Sequence, residues 1–223
     1  MYIVAVDDGH GLETAGKRTP AFPGTGLVIR ENEFNFATKL KLFQVLVRCG
    51  IGYVDVAPGQ VDVPLADRVR VANSAKADIY VSIHYNAYDG KWDSTKGGIE
   101  TYHYTNSVKG KPLAQAIHKH LIKGTKMPDR GIKEANFYVL KNTVMPAVLC
   151  ECGFMDVLEQ AKLMLDEAYQ WECAEEIGQG ICEYFGVEYV APGDDYRQKY
   201  YALLADIKAL IIKYEVQANG RMG

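Results

Sequence analysis

Short β-branched runs alternate with stretches of helical period along most of this chain. That alternation constrains the fold most, because strand, helix and strand in succession close a core only as packed α/β layers. Residues 2–6 read as a strand, and residues 31–48 as a helix with Phe34, Ala37, Leu40, Leu42, Val45 and Leu46 on its apolar face. Residues 51–56 read as a second strand, 64–76 as a helix begun by a proline, and 78–84 as a buried central strand. Further on, residues 98–104, 137–140 and 147–151 read as strands, 108–123 as a helix, and 163–185 as one or two closing helices. The expectation is an α/β domain with about six strands in a mostly parallel, twisted sheet, covered by helices on both faces.

A Pro-Gly turn with two acidic residues, Val190-Ala191-Pro192-Gly193-Asp194-Asp195, breaks this pattern and sets a boundary between residues 1–189 and a helical tail, 190–223. In the tail Tyr196, Tyr200, Leu203, Ile207, Leu210 and Tyr214 recur at spacings of 4, 3, 4, 3 and 4, the rhythm of an interhelical seam. A run of barely three heptads fits two readings: a helix packed on its own domain, or a coiled coil that makes a homodimer or connects to a further module.

Charge and cysteine content narrow the partners. With 25 Lys plus Arg against 28 Asp plus Glu, a net charge of -3 and no basic run, nucleic acid is not an expected partner. Cys49, Cys150, Cys152, Cys173 and Cys182 are odd in number and form no CxxC pair, so they read as reduced, buried apolar residues. No apolar stretch approaches the roughly 20 residues of a spanning helix, so no membrane partner is expected. The start, Met-Tyr-Ile-Val-Ala-Val-Asp, lacks the basic and apolar regions of a secretory signal.

Chemistry in an open α/β sheet gathers at the carboxyl ends of its strands. His10 follows the first strand in Asp7-Asp8-Gly9-His10-Gly11, His84 ends the strand over 78–84, Glu31 opens the first helix, and Glu151 closes the run Ala147-Val148-Leu149-Cys150. Two imidazoles and a carboxylate suit a catalytic zinc with one open position. A buried carboxylate beside a cation suits a proton carrier. Gly9 and Gly11 would let backbone approach closely beside His10. The separations of 21, 53 and 67 residues match no compact zinc motif, so spacing alone leaves open that these histidines are only hydrogen-bonded residues. Cys150 and Cys152 flank Glu151, and strand alternation sends both to the opposite face as core. His118 and His120, two apart on a helix, do not face each other and read as surface residues. His103 reads as part of a solvated sheet edge, with a place in the cleft as the alternative.

Four ordered blocks carry a resemblance over residues 1 to about 188. They are Val4-Ala5-Val6-Asp7-Asp8-Gly9-His10-Gly11; Glu31-Asn32-Glu33-Phe34-Asn35-Phe36; Arg68-Val69-Arg70-Val71-Ala72-Asn73 leading into Ser82-Ile83-His84-Tyr85-Asn86-Ala87; and Arg130-Gly131 through Met145-Pro146 to Glu151-Cys152-Gly153-Phe154. Together they resemble the zinc-dependent N-acetylmuramoyl-L-alanine amidases of bacterial autolysins and phage endolysins. Two departures are Asp8, where that family commonly has proline, and Leu12, where it often has glycine. The tail from residue 190 has no counterpart in the resemblance.

Carried over position by position, the resemblance implies one zinc ion on His10, Glu31 and His84, with Glu33 the runner-up to Glu31. It implies Glu151 as general base and then acid, on the amide joining N-acetylmuramic acid to L-alanine of the peptidoglycan stem. Asn86 and the loop 88–96, which follow a ligand-bearing strand, are candidates for substrate contact. The alternatives are a zinc peptidase cutting within the stem or cross-bridge, and a noncatalytic wall-binding protein. Without a leader, the pattern is closer to an endolysin made in the cytoplasm and acting on the wall after release; a lost leader is the other explanation.

Overall fold

The computed structural model describes residues 1–93 and 95–193. The seam of residues 196–214 and the homodimer expected from it lie outside the described residues. Met1–Tyr189 forms one compact unit. Its strands are β1 (Ile3–Asp7), β2 (Gly52–Asp55), β3 (Ile79–Asn86), β4 (Ile99–Tyr104), β5 (Asp129–Ala135) and β6 (Ala147–Phe154). They form one sheet in the order β2-β1-β3-β6-β4-β5. The first four of that order run parallel, β4 pairs antiparallel with β6, and β5 runs parallel to β4. The expected six-stranded, mostly parallel α/β architecture is the one observed.

Six helices complete the unit among the described residues: α1 (Glu31–Arg48), α2 (Leu65–Ser74), α3 (Gly110–Gly124), α4 (Tyr138–Asn142), α5 (Leu158–Ala161) and α6 (Glu167–Phe185). One face of the sheet, with buried Val4, Val6, Val81, Ile83, Val148, Cys150 and Cys152, lies under α1 and α3, and α6 packs on both of these helices. Its contacts are specific. The Phe34 ring of α1 meets Tyr85 edge-on at 4.7 Å, and the Tyr169 hydroxyl of α6 donates to the Cys152 carbonyl at 2.5 Å. The other face gathers Ala5, Tyr80, Ala147 and Leu149 with Val69 and Ala72 of α2 and Val139 and Leu140 of α4. Burying each such aliphatic side chain contributes about 1.5–3 kcal/mol. Asp166 starts α6 by accepting from the Ala168 and Tyr169 amides at 2.8 and 3.4 Å, a cap worth about 1 kcal/mol.

Several local expectations need correction. Residues 137–140 are not a strand; Phe137 caps α4, whose Val139 and Leu140 drop into the core. The fifth strand is instead Asp129–Ala135, and its sequence, Asp-Arg-Gly-Ile-Lys-Glu-Ala, has no apolar alternation because it is an edge strand. Leu40 is 42% exposed, whereas Lys39 is completely buried and ion-paired with Asp8 and Asp55 at 3.1 and 3.0 Å. His118 is buried, not superficial: its two ring nitrogens lie 3.0 Å from Thr101 Oγ1 and 2.8 Å from Asp129 Oδ1. His103 is buried too, because β4 lies inside the sheet between β6 and β5. His120 is half-buried against Glu183, 2.7 Å away. Cys150 and Cys152 do sit in the core opposite Glu151, as strand alternation requires.

Candidate metal centre

The site begins where β1 ends. Asp7 is buried and accepts from Arg68 Nη1, from the Tyr80 hydroxyl at 2.8 Å, from Ser82 Oγ at 2.7 Å and from the Gly9 amide at 3.3 Å. Burial pushes its carboxyl up, but the Arg68 guanidinium, the nearby His84 and the hydrogen bond from Ser82 together outweigh that and hold it below the usual range. The chain then turns sharply, with Gly9 at φ +40° and His10 at φ +61°. A Cβ on Gly9 would lie 2.3 Å from His84 Cε1, so only glycine lets this backbone pass under the second imidazole.

The carbonyls of the turn are held from two sides. The side-chain amide of Asn35 donates to the Gly9 carbonyl at 3.2 Å, and that of Asn32 lies 3.3 Å from both the Gly9 and His10 carbonyls. Arg68 Nη2 donates to the His10 carbonyl at 3.0 Å. Asp8 is buried next to Lys39, and burial, opposed by that lysine, pushes its carboxyl up to about 6.

Three side chains converge above this turn. His84 Nδ1 lies 2.9 Å from Glu31 Oε1, His10 Nε2 lies 3.5 Å from Glu31 Oε2, and the two imidazoles meet edge-on at 4.9 Å. One ligating atom from each of His10, Glu31 and His84 falls within 4.8 Å of the others. Glu31 Oε2 is buried with no hydrogen-bond partner among the described residues. A buried carboxylate oxygen left that way is costly, and a cation on the two-nitrogen, one-carboxylate set would satisfy it; the residues fit a zinc site.

Charge follows the same geometry. Burial lowers the His10 pKa to about 4, so its imidazole is neutral and able to ligate. Burial opposes ionisation of Glu31 as well, but the hydrogen bond and charge of His84, with His10 and Lys17 beyond, bring it down to about 2. For His84 burial again works against the charged form, and its contact with Glu31 reverses the sign, raising its proton affinity. Glu33, the other candidate on α1, accepts from the Arg30 amide at 2.6 Å and caps the helix.

Glu151 stands beside these three on β6, in register with His84 of β3 on one side and Glu100 of β4 on the other. Its Oε2 is buried and makes no hydrogen bond among the described residues. Burial pushes its pKa up to about 8, with Glu31 and Glu100 adding to the rise and His84 opposing it. A cleft of about 310 Å³ opens over His10, His84 and Glu151. Its walls also include Asp7, Gly9 and Arg68 and four residues with no expected place in the site: Lys17, which reaches within 3.8 Å of Glu31 Oε2, and the apolar group Leu65, Phe137 and Tyr138. A lysine in a loop of unassigned shape carries no signal in the sequence. Phe137 and Tyr138 do, as adjacent aromatics before a short helix.

The remaining candidates fall outside the cleft walls. Asn86 donates to Glu100 Oε2 at 2.9 Å. The loop 88–96, described apart from Ser94, packs on the loop before α1: Trp92 Nε1 donates to the Ala21 carbonyl at 3.0 Å and the Trp92 ring meets Phe22 at 5.2 Å.

Comparison with known proteins converges on one family. The sequence profile described as N-acetylmuramoyl-L-alanine amidase matches residues 4–183. The endolysin of Bacillus phage SPP1 is 30% identical over 218 residues, covering 95% of this chain and 76% of the endolysin. The N-acetylmuramoyl-L-alanine amidase LytC of Bacillus subtilis is 33% identical over 184 residues, 82% of this chain and 35% of LytC. Among solved structures, the catalytic domain of CwlV, an N-acetylmuramoyl-L-alanine amidase from Bacillus (Paenibacillus) polymyxa, superposes with a TM-score of 0.75 at 33% identity, covering 84% of this chain and all of that domain. The corresponding amidase of Clostridium difficile 630 gives the same TM-score and identity over 83% of this chain and 97% of its own.

Proposed function

The chain belongs to the N-acetylmuramoyl-L-alanine amidase family, and from that premise we propose that His10, Glu31 and His84 hold one zinc ion while Glu151 carries the proton during cleavage of the amide between N-acetylmuramic acid and L-alanine. The observation that carries this reading is the placement of Glu151 in direct register with His84, its carboxylate buried and unpaired beside the three-ligand cluster.

Zinc held there would polarise the scissile carbonyl and acidify water. The protein's own residues do the rest. Asn32, Asn35 and Arg68 fix the carbonyls on either side of His10, so its ring is presented without a search. Glu151 takes a proton from the attacking water and delivers it to the departing alanine nitrogen, so that one carboxyl serves as base and then acid. A carboxyl raised toward neutrality is suited to both directions of transfer. Leu65, Phe137 and Tyr138 shed water from the cleft and offer apolar surface to the substrate. A phage endolysin stands among the relatives that span nearly the whole chain, beside a sporulation-specific amidase of Bacillus subtilis; the first of these supports a phage-type lytic enzyme that meets peptidoglycan after leaving the cytoplasm.

Mass spectrometry of the soluble products from digested cell walls tests bond and metal together. Peptides beginning with free L-alanine, lost with a chelator and regained with zinc, are the expected result. New termini inside the stem or cross-bridge would make the protein a peptidase. Undiminished release in the presence of chelator would remove the metal from the reaction.

A further inference from the structure

Next to Glu151, on the same face of the sheet, lies a charged ledge that the chemistry above leaves unused. Glu100, one strand over from Glu151 and in register with it, is buried, and both of its oxygens are saturated. Oε1 accepts from Arg130 Nε at 2.8 Å and from Lys133 Nζ; Oε2 accepts from Asn86 Nδ2 at 2.9 Å and from the Tyr102 hydroxyl at 2.6 Å. Two cations thus share one carboxylate, and the ledge keeps a positive charge in excess.

Both cations also have unused donors. The Arg130 guanidinium stacks 4.8 Å over the Phe154 ring and bonds to protein only through Nε, which leaves its paired Nη groups without a hydrogen bond among the described residues. Its side chain is 30% exposed and that of Lys133 is 37% exposed, whereas Glu100 beneath them is closed off. A part-exposed guanidinium braced by stacking and by a buried anion, with its Nη donors left over, is a preorganised carboxylate receptor.

Distance fits one carboxylate of the stem, if the peptide runs from Glu151 toward β5. Arg130 is on β5, two strand spacings or about 10 Å from β6, and an arginine side chain spans part of that gap. The second residue of a peptide leaving the scissile bond lies about 7 Å along the chain at about 3.5 Å per residue. We propose that Arg130 and Lys133, held by Glu100, form a subsite for a free carboxylate on the stem residue that follows L-alanine. The subsite rests on the amidase reading and would make the enzyme discriminate between stems carrying an acid there and stems carrying the carboxamide.

The test uses uncrosslinked peptidoglycan polymerised in two forms that differ only in this group, acid or carboxamide, digested by the full zinc-loaded chain. Wild type is expected to cleave the acid form with kcat/KM about tenfold or more above the carboxamide form, chiefly through KM. Arg130→Gln should bring that ratio close to one. Equal cleavage of both polymers by wild type would overturn the subsite while leaving the amidase reading intact. No cleavage of either would overturn the amidase reading and the subsite with it. A ratio unchanged in Arg130→Gln would exclude that arginine as the receptor. If Arg130→Gln melts too low to assay, Lys133→Gln replaces it, with an expected partial loss of the ratio; a ratio kept at the wild-type value in that variant would equally refute the proposal.

Discussion

Replacing Arg68 by Met removes one cation from beneath the metal cluster while keeping much of the side chain's bulk. Arg68 is completely buried and holds Asp7 through Nη1, the Val63 carbonyl through Nε at 2.7 Å, the His10 carbonyl at 3.0 Å and Asp62 at 3.2 Å. Without it, Asp7 keeps only the donors of Tyr80, Ser82 and Gly9. Breaking a buried ion pair from one side costs about 3–5 kcal/mol. At about 2–4 °C per kcal/mol for a domain of this size, Tm at pH 7 should fall by about 6–20 °C, read by calorimetry on chelated protein. In the wild type the folded-state pKa of Asp7 is lowered. Its contribution is therefore complete above about pH 4 and disappears as the pH drops through the lowered value. In the variant the burial remains and the largest lowering influence is gone, with His84 and the Ser82 hydrogen bond left to oppose burial, so the Asp7 pKa rises and the carboxyl takes up a proton earlier on acidification than in the wild type. The gap in Tm between the two proteins should accordingly narrow between pH 7 and pH 4. Asp7→Asn combined with Arg68→Met should lose less than the sum of the single losses. A gap below about 2 °C at pH 7, one that does not change with pH, or strict additivity would refute the account of this pair.

Two further substitutions probe the site itself. Glu151→Gln should lower turnover by about 10²–10⁴-fold with one zinc per chain retained, measured by metal analysis. Because burial raises the wild-type carboxyl to about 8, the folded state loses stability as pH rises through the window from the ordinary carboxylate value to 8; the chelated Gln variant should thus melt above chelated wild type at pH 8. A lower melting point would mean that Glu151 has a partner that this reasoning lacks. Gly9→Ala places a methyl 2.3 Å from His84 Cε1 at a φ of +40°, so it should cost about 1–2 kcal/mol in backbone strain and weaken zinc binding at least tenfold in a competition titration. Unchanged affinity would show that the turn is not what places His84.

Much of the site is legible in the residues, because each recognisable block has one structural task. Asp7, Ser82 and Arg68 are distant in sequence and form one hydrogen-bonded knot. Asn35 ties the start of α1 to Gly9, and Asn73 joins α2 to the end of α4 through the Asn142 carbonyl and to the segment after it through the Val144 amide. What misled were segments whose burial contradicts their chemistry. His118 shares its helix face with Ala114, Ile117 and Leu121, all buried, so helical spacing could have placed it inside, had a polar side chain not suggested water. Lys39 is hidden because Asp8 and Asp55 come to meet it, and no local pattern announces a charge paired across the fold.

Sequence alone determined the alternation of strands and helices outside residues 129–142, the start of α1 at Glu31, and the residue types able to bind a metal and move a proton. These are local matters, governed by period, capping and side-chain chemistry. Only the tertiary structure decided that β6 inserts between β3 and β4. Pairing between strands depends on how whole faces bury each other, which no window of the chain encodes. That single insertion sets Glu151 beside His84 and Glu100 beside Glu151, and with them both the candidate metal centre and the charged ledge at its flank.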